Sequence, residues 1–157
     1  MAEQSKADLL AGEAFFRDLD GEALEFLAGC ATERALKKDE VLFRHGQPAD
    51  RFYLIRSGRI TIEVPAIEGP SLDVQSLGAD AVLGWSWLIP PYTWSFQARA
   101  KEETTMLEFD GAAVLERCES DPAFGYELMK RFSALMSERL EAARRKMMDE
   151  WNPPGFA

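Results

Sequence analysis

At 157 residues, 46% hydrophobic and 29% charged, the chain is long enough to bury a core without staples and too apolar to be disordered. Its formal charge of −9 argues against the basic face that nonspecific nucleic-acid binding requires. No apolar run approaches the roughly 20 residues that span a bilayer. Met1 to Ala7 has no basic segment followed by an apolar stretch, so a cytoplasmic protein is expected, with no membrane association.

The first 30 residues read as helical. Leu9, Leu10, Ala14, Phe15 and Phe16 recur at roughly helical spacing, and Asp20 is placed to cap a second helix reaching Cys30. From Val41 the period changes to that of half-buried strands, in Arg51 to Arg56, Arg59 to Val64 and Ser71 to Leu77. Turn residues separate them, at His45-Gly-Gln-Pro, Ser57-Gly and Ile67-Glu-Gly-Pro. Two more strands are expected over Ser95 to Ala100 and Thr104 to Phe109. Short strands at these intervals, about eight in all, suggest a sandwich or barrel.

After Phe109 the helical period returns. Asp110 is a plausible N-cap for a helix to Cys118, and Ser120-Asp-Pro opens another with proline in its first turn. Leu128, Phe132, Leu135, Met136, Leu140, Ala143 and Met147 then mark an apolar stripe, which Asn152-Pro-Pro-Gly ends. The fold class expected is α+β, one domain over residues 1–157, with strands over about 36–109 and a terminal helix over about 121–150. A stripe this long has two outlets. It packs on an identical helix in a twofold dimer, the reading preferred here, or it folds back on its own domain. The segment 127–146 carries six basic and three acidic residues, which reads first as a solvated helix face.

Catalytic signals are absent. One histidine, His45, and two separated cysteines, Cys30 and Cys118, supply no usual zinc site, and the cysteines are expected as thiols. The sequence has no P-loop, nucleophile elbow, paired catalytic carboxylates or Cys/His dyad, so no enzymatic activity and no cofactor are expected.

Several pieces in order carry a resemblance: Leu42-Phe-Arg-His-Gly46, Phe52-Tyr-Leu-Ile-Arg-Ser-Gly-Arg-Ile-Thr-Ile62, Leu77 to Gly84, Ala98-Arg-Ala100, and Arg131 to Leu140. Over roughly Phe15 to Lys146 the chain resembles the cyclic-nucleotide-binding domains of Crp/Fnr regulators and of cyclic-nucleotide-regulated kinases and channels. The resemblance implies a jelly-roll-like antiparallel β-barrel with N-terminal helices and a long dimerising C-terminal helix. It also implies a regulatory or sensor role with a small-molecule or nucleotide ligand, a homodimer, and a further protein partner. Family members that bind DNA carry a helix-turn-helix after the long helix; this sequence ends at Ala157 without one, so direct DNA binding is not expected.

The family's ligand cassette would lie between Gly84 and Arg99. A cyclic phosphate is held there by backbone N–H groups at a short helix N-terminus, by an arginine, and by a glutamate on the ribose 2′-hydroxyl. In this sequence Trp85 stands at the glutamate position and Trp94 at the arginine position, in a loop one residue shorter than usual. Asp80 stands where a glycine is usual, and the family's base-contacting hydroxyls align near Ala143 and Arg144. Losing both charged contacts, at about 1.5–3 kcal/mol each, weakens binding by roughly 10² to 10⁴-fold. The candidate ligand-binding residues are Gly84, Trp85, Ser86, Trp87, Leu88, Trp94, Ser95 and Arg99. Those for the dimer are Phe132, Leu135, Met136, Leu140, Ala143 and Met147. Trp85, Trp87, Tyr92 and Trp94, beside a stiff Pro90-Pro91, either line a rebuilt pocket or fill it.

Overall fold

The computed structural model describes residues 5–64 and 72–150. The turn expected at Ile67-Glu-Gly-Pro, Ser71 and the helix stop at Asn152-Pro-Pro-Gly lie outside the described residues. Two helices open the chain, α1 (Lys6–Ala11) and α2 (Gly21–Gly29), joined through a 3₁₀ turn at Ala14–Phe16. Ser5 and Asp20 cap them by accepting the amides of Asp8 (3.1 Å) and Ala23 (2.7 Å), so each satisfies an amide the helix cannot. Eight strands follow: β1 (Ala31–Leu36), β2 (Val41–Phe43), β3 (Arg51–Ser57), β4 (Ile60–Val64), β5 (Leu72–Leu77), β6 (Val82–Leu83), β7 (Gln97–Ala100) and β8 (Thr104–Asp110). The chain closes on α3 (Gly111–Ser120) and α4 (Pro122–Glu150). Asp110 caps α3 as expected, and Asp121 accepts the Phe124 amide at the start of α4.

The strands form two four-stranded antiparallel sheets, β1-β8-β3-β6 and β2-β7-β4-β5, in the jelly-roll-like arrangement expected, without closing into a barrel. Each sheet ends on short or partly paired strands, β6 with two residues and β2 with three, which are too short to close a ring. A strand at Ala31–Leu36 was not expected. Its burial does not alternate, with Ala31 and Leu36 buried at the ends and a polar run between, so the sequence shows no period of two; pairing with β8 fixes it.

Three layers result. Phe52 and Leu54 of β3, with Leu107 and Phe109 of β8, face the helices and build a core with Leu27, Val114, Leu128 and Phe132. Tyr53 and Ile55 of β3 and Met106 of β8 point the other way. They meet Ile60, Ile62, Ala98 and Ala100 of the second sheet in the sandwich interior. The first sheet is therefore buried on both faces at its centre, which is why Phe52 to Ile55 is apolar without interruption. No helix of the described residues is long and apolar enough to cross a membrane.

Candidate functional site at the Gly84–Ala100 loop

The segment from Gly84 to Ala100 leaves β6, crosses one end of the sandwich and returns as β7. Gly84 has φ +102°, where a side chain is strained, and a Cβ there would lie 2.8 Å from the Trp94 ring. Its glycine is required on both counts. The Trp94 backbone is tied on both sides, donating to the Gln47 carbonyl (2.9 Å) and accepting from the Gly46 amide (2.8 Å). These bonds, with the Pro48–Thr93 bridge and Ala49 N–H to Tyr92 O (2.8 Å), hold the loop against the β2–β3 connection.

Trp94 is 3% exposed and belongs to the sandwich interior. Its ring stacks on Phe43 with centroids 3.7 Å apart and planes 7° from parallel, and Phe96 adds a tilted contact at 6.3 Å. Trp87 is as deeply buried but faces the helices. It stacks on Phe52 at 4.9 Å, meets Phe132 edge-on at 5.3 Å, and donates its indole N–H to the Gly84 carbonyl at 3.0 Å. Leu88 joins the same core and Ser86 is buried beside it. Trp85 is half-buried, edge-on to Phe96, and Ser95 is exposed. The four rings expected as one constellation are thus divided: Trp94 inside the sandwich, Trp87 in the helical core, Trp85 half-buried, and Tyr92 exposed with φ +58°.

Arg99 lies on the outer face of β7, opposite Ala98 and Ala100. Its Nε donates to Glu63 Oε1 at 2.9 Å and its Nη1 to the Asp39 carbonyl at 3.0 Å. Glu63 also accepts from Gln97 (3.4 Å), so the guanidinium is engaged in a surface network and points away from the sandwich interior. His45 is an exposed loop residue. Among the described residues no three His, Cys, Asp or Glu side chains gather to hold a metal ion. Burial pushes the Cys118 thiol up to about 11 and raises that of Cys30, so neither is an activated nucleophile.

The terminal stripe is divided as well. Phe132 and Leu135 are buried in their own domain, with Phe124 and Leu128, and Phe132 packs edge-on to Phe15 and Phe52. Buried there, Phe132 offers no surface to a second chain, and Leu135 shows only the edge that lines a groove beside α4. Met136 and Ala143 are half-buried, while Leu140 (64%) and Met147 (60%) are exposed. With Tyr126 and Met129, also exposed, they follow the alternating three- and four-residue steps of a heptad, interrupted at Ser133.

Two residues missed in the sequence shape this region. Phe43, the partner of Trp94, was read only within Leu42-Phe-Arg-His-Gly46, one of the pieces that carry the resemblance. Arg139 is 9% exposed, and its guanidinium donates to the Val82 carbonyl while its own carbonyl accepts from Gln75. Helical spacing was the available signal, since 128, 132, 135 and 139 share one face.

A family profile described as cyclic nucleotide-binding domain matches residues 33–121. A cyclic nucleotide-binding-like protein from Brucella abortus is 30% identical over 73% of this chain and 97% of its own, with a TM-score of 0.60. A putative cyclic nucleotide-binding protein from Geobacter metallireducens is 27% identical over 87% of this chain and 98% of its own, with a TM-score of 0.77. A cyclic nucleotide-binding domain from Methylobacillus flagellatus, 18% identical over 96% and 85%, has a TM-score of 0.78 and speaks for the fold alone. No curated protein matches the chain.

Proposed function

Because this chain belongs to the cyclic nucleotide-binding domain family, we propose that it is a non-enzymatic regulatory module that works through protein contacts, with its sandwich interior occupied by its own aromatic side chains. The observation that carries this reading is Trp94, buried on Phe43 and closed over Gly84. An indole at the position the family gives to its phosphate-binding arginine offers no charge to a phosphate and occupies volume a ligand would need. Arg99, the other candidate for that charge, is paired on the outer face.

Output runs through α4. Its outward stripe of Met129, Met136, Leu140, Ala143 and Met147 fits a second copy of the same helix in a twofold pair, each helix supplying knobs to the other. Binding of a small ligand in altered fashion is the competing reading, favoured by the half-buried edges of Trp85 and Phe96 at the loop.

Calorimetric titration with cyclic AMP and cyclic GMP separates the two. The expected result is no saturable heat with a dissociation constant below about a micromolar, on the order of −8 kcal/mol. Saturable binding in that range, with a matching change in tryptophan emission, overturns the filled-interior reading. Sedimentation at micromolar concentration is expected to give twice the monomer mass; a persistent monomer overturns the dimer.

A further inference from the structure

Between α4, the 3₁₀ turn and the β5–β6 turn runs a groove of about 430 Å³, separate from the sandwich interior. Its walls are largely apolar, formed by Phe15, Leu77, Val82 and Leu135. Four charged side chains also line it, and they are not equivalent. Arg131 is satisfied by Glu127, at 3.0 Å, and by two backbone carbonyls. Asp80 lies beside Glu13, whose carboxyl is raised by burial and by Asp80 itself, and Glu13 accepts from Arg56 at 2.6 Å. Glu138 is exposed on the rim.

Arg139 is the exception. It is nine-tenths buried, yet among the described residues its guanidinium finds one acceptor, the Val82 carbonyl, and no carboxylate at ion-pair distance. Its remaining N–H groups are not sealed in protein, so they face the groove. Burial pulls this guanidinium down to about 10, offset only by Glu138, so it remains charged at neutral pH. A cation largely removed from water without a counterion is destabilising. An anion arriving in the groove would relieve that cost.

We infer that this groove is a second binding site, for a small carboxylate with an apolar body, whose anionic end pairs with Arg139. A guanidinium fork matches a carboxylate in shape and charge, and the apolar walls suit a short hydrocarbon body. Glu138 on the rim disfavours a doubly charged phosphate more than a singly charged carboxylate. The site is independent of the dimer and of the filled interior, and it touches α4 where the helix passes from buried to exposed.

Calorimetry on the whole chain tests this with hexanoate, its neutral analogue hexanamide, and inorganic phosphate. Hexanoate is expected to bind with one-to-one stoichiometry, at least tenfold more tightly than hexanamide, and phosphate is not expected to compete. Arg139→Gln should weaken hexanoate at least tenfold, and Glu138→Gln should tighten it severalfold. Should Arg139→Gln fail to fold, Ala134→Trp fills the groove from the exposed side of α4 with Arg139 in place, and is expected to abolish binding. No saturable hexanoate binding, equal affinity for hexanamide, competition by phosphate, or full binding in Ala134→Trp would each overturn the assignment.

Discussion

The two halves of α4 are one continuous helix held by different physics. From Phe124 to Leu135 the helix is anchored by side chains buried against β3, β8 and the N-terminal turn, among them the ring contacts of Phe132 with Phe15, Phe52 and Trp87. From Arg139 onward the contacts with the strands are polar: Arg139 to Val82, Gln75 to Arg139, and Lys146 to the Asp73 carbonyl. The second half turns its apolar residues outward. An apolar anchor contributes in proportion to the area it hides, whereas each hydrogen bond that replaces one to water contributes about 1 kcal/mol. One helix can therefore be immovable at its start and available for exchange at its end.

Substitutions break or sharpen that contrast. Phe132→Ala opens a cavity among three aromatic rings and should destabilise the domain by about 3–5 kcal/mol, read by chemical denaturation. A loss under about 1 kcal/mol would mean the first half is not the anchor. Leu140→Glu with Met147→Glu should raise the dimer dissociation constant at least about a hundredfold, with the domain's melting temperature nearly unchanged. A fall in melting temperature measured below the dimer dissociation constant would show these residues serving the domain's own core. Gln75→Ala removes the bond to the Arg139 carbonyl and should cost about 1 kcal/mol. Hydrogen exchange should speed up beyond Leu140 and leave Leu128 protected; uniform acceleration along α4 would contradict a two-part helix. Leu140→Ala in the monomer should change stability by no more than about 0.5 kcal/mol, and a larger loss would contradict its exposure.

Local rules made much of this fold legible. Asp20 and Asp110 were readable as caps because a helix start needs an acceptor for its free amides. The period-two segments became β4, β5, β7 and β8 because each has a face toward an apolar layer, whereas β3, read as half-buried, is buried on both faces. What stayed hidden depends on contacts distant in sequence. A sandwich could not be told from a barrel, since pairing β1 with β8 spans the whole strand region. The expected stripe merged Leu135 with Met136, which point to different sides of α4, and only the position of the first sheet decides which is covered. At the loop, Trp94 was recognised as out of pattern, but its partner was not. Phe43 comes under it through the pairing of β2 with β7, where Phe43 sits opposite Ala98.

The doubly buried strand β3 bears on how the chain finds its register during folding. In a strand with one wet face, a slip of one residue exchanges apolar for polar side chains and is rejected by solvation. Between Phe52 and Ile55 no such exchange occurs, because every side chain is apolar or aromatic. Register must then be chosen by the ends. Arg51 at one end meets Glu108 and Asp110 of β8 at 3.7 and 3.5 Å. At the other, Gly58, with φ +92°, brings the chain so close to Thr104 that a Cβ would lie 2.4 Å from its hydroxyl. A side chain at Gly58 would remove the punctuation that tells this strand where to stop.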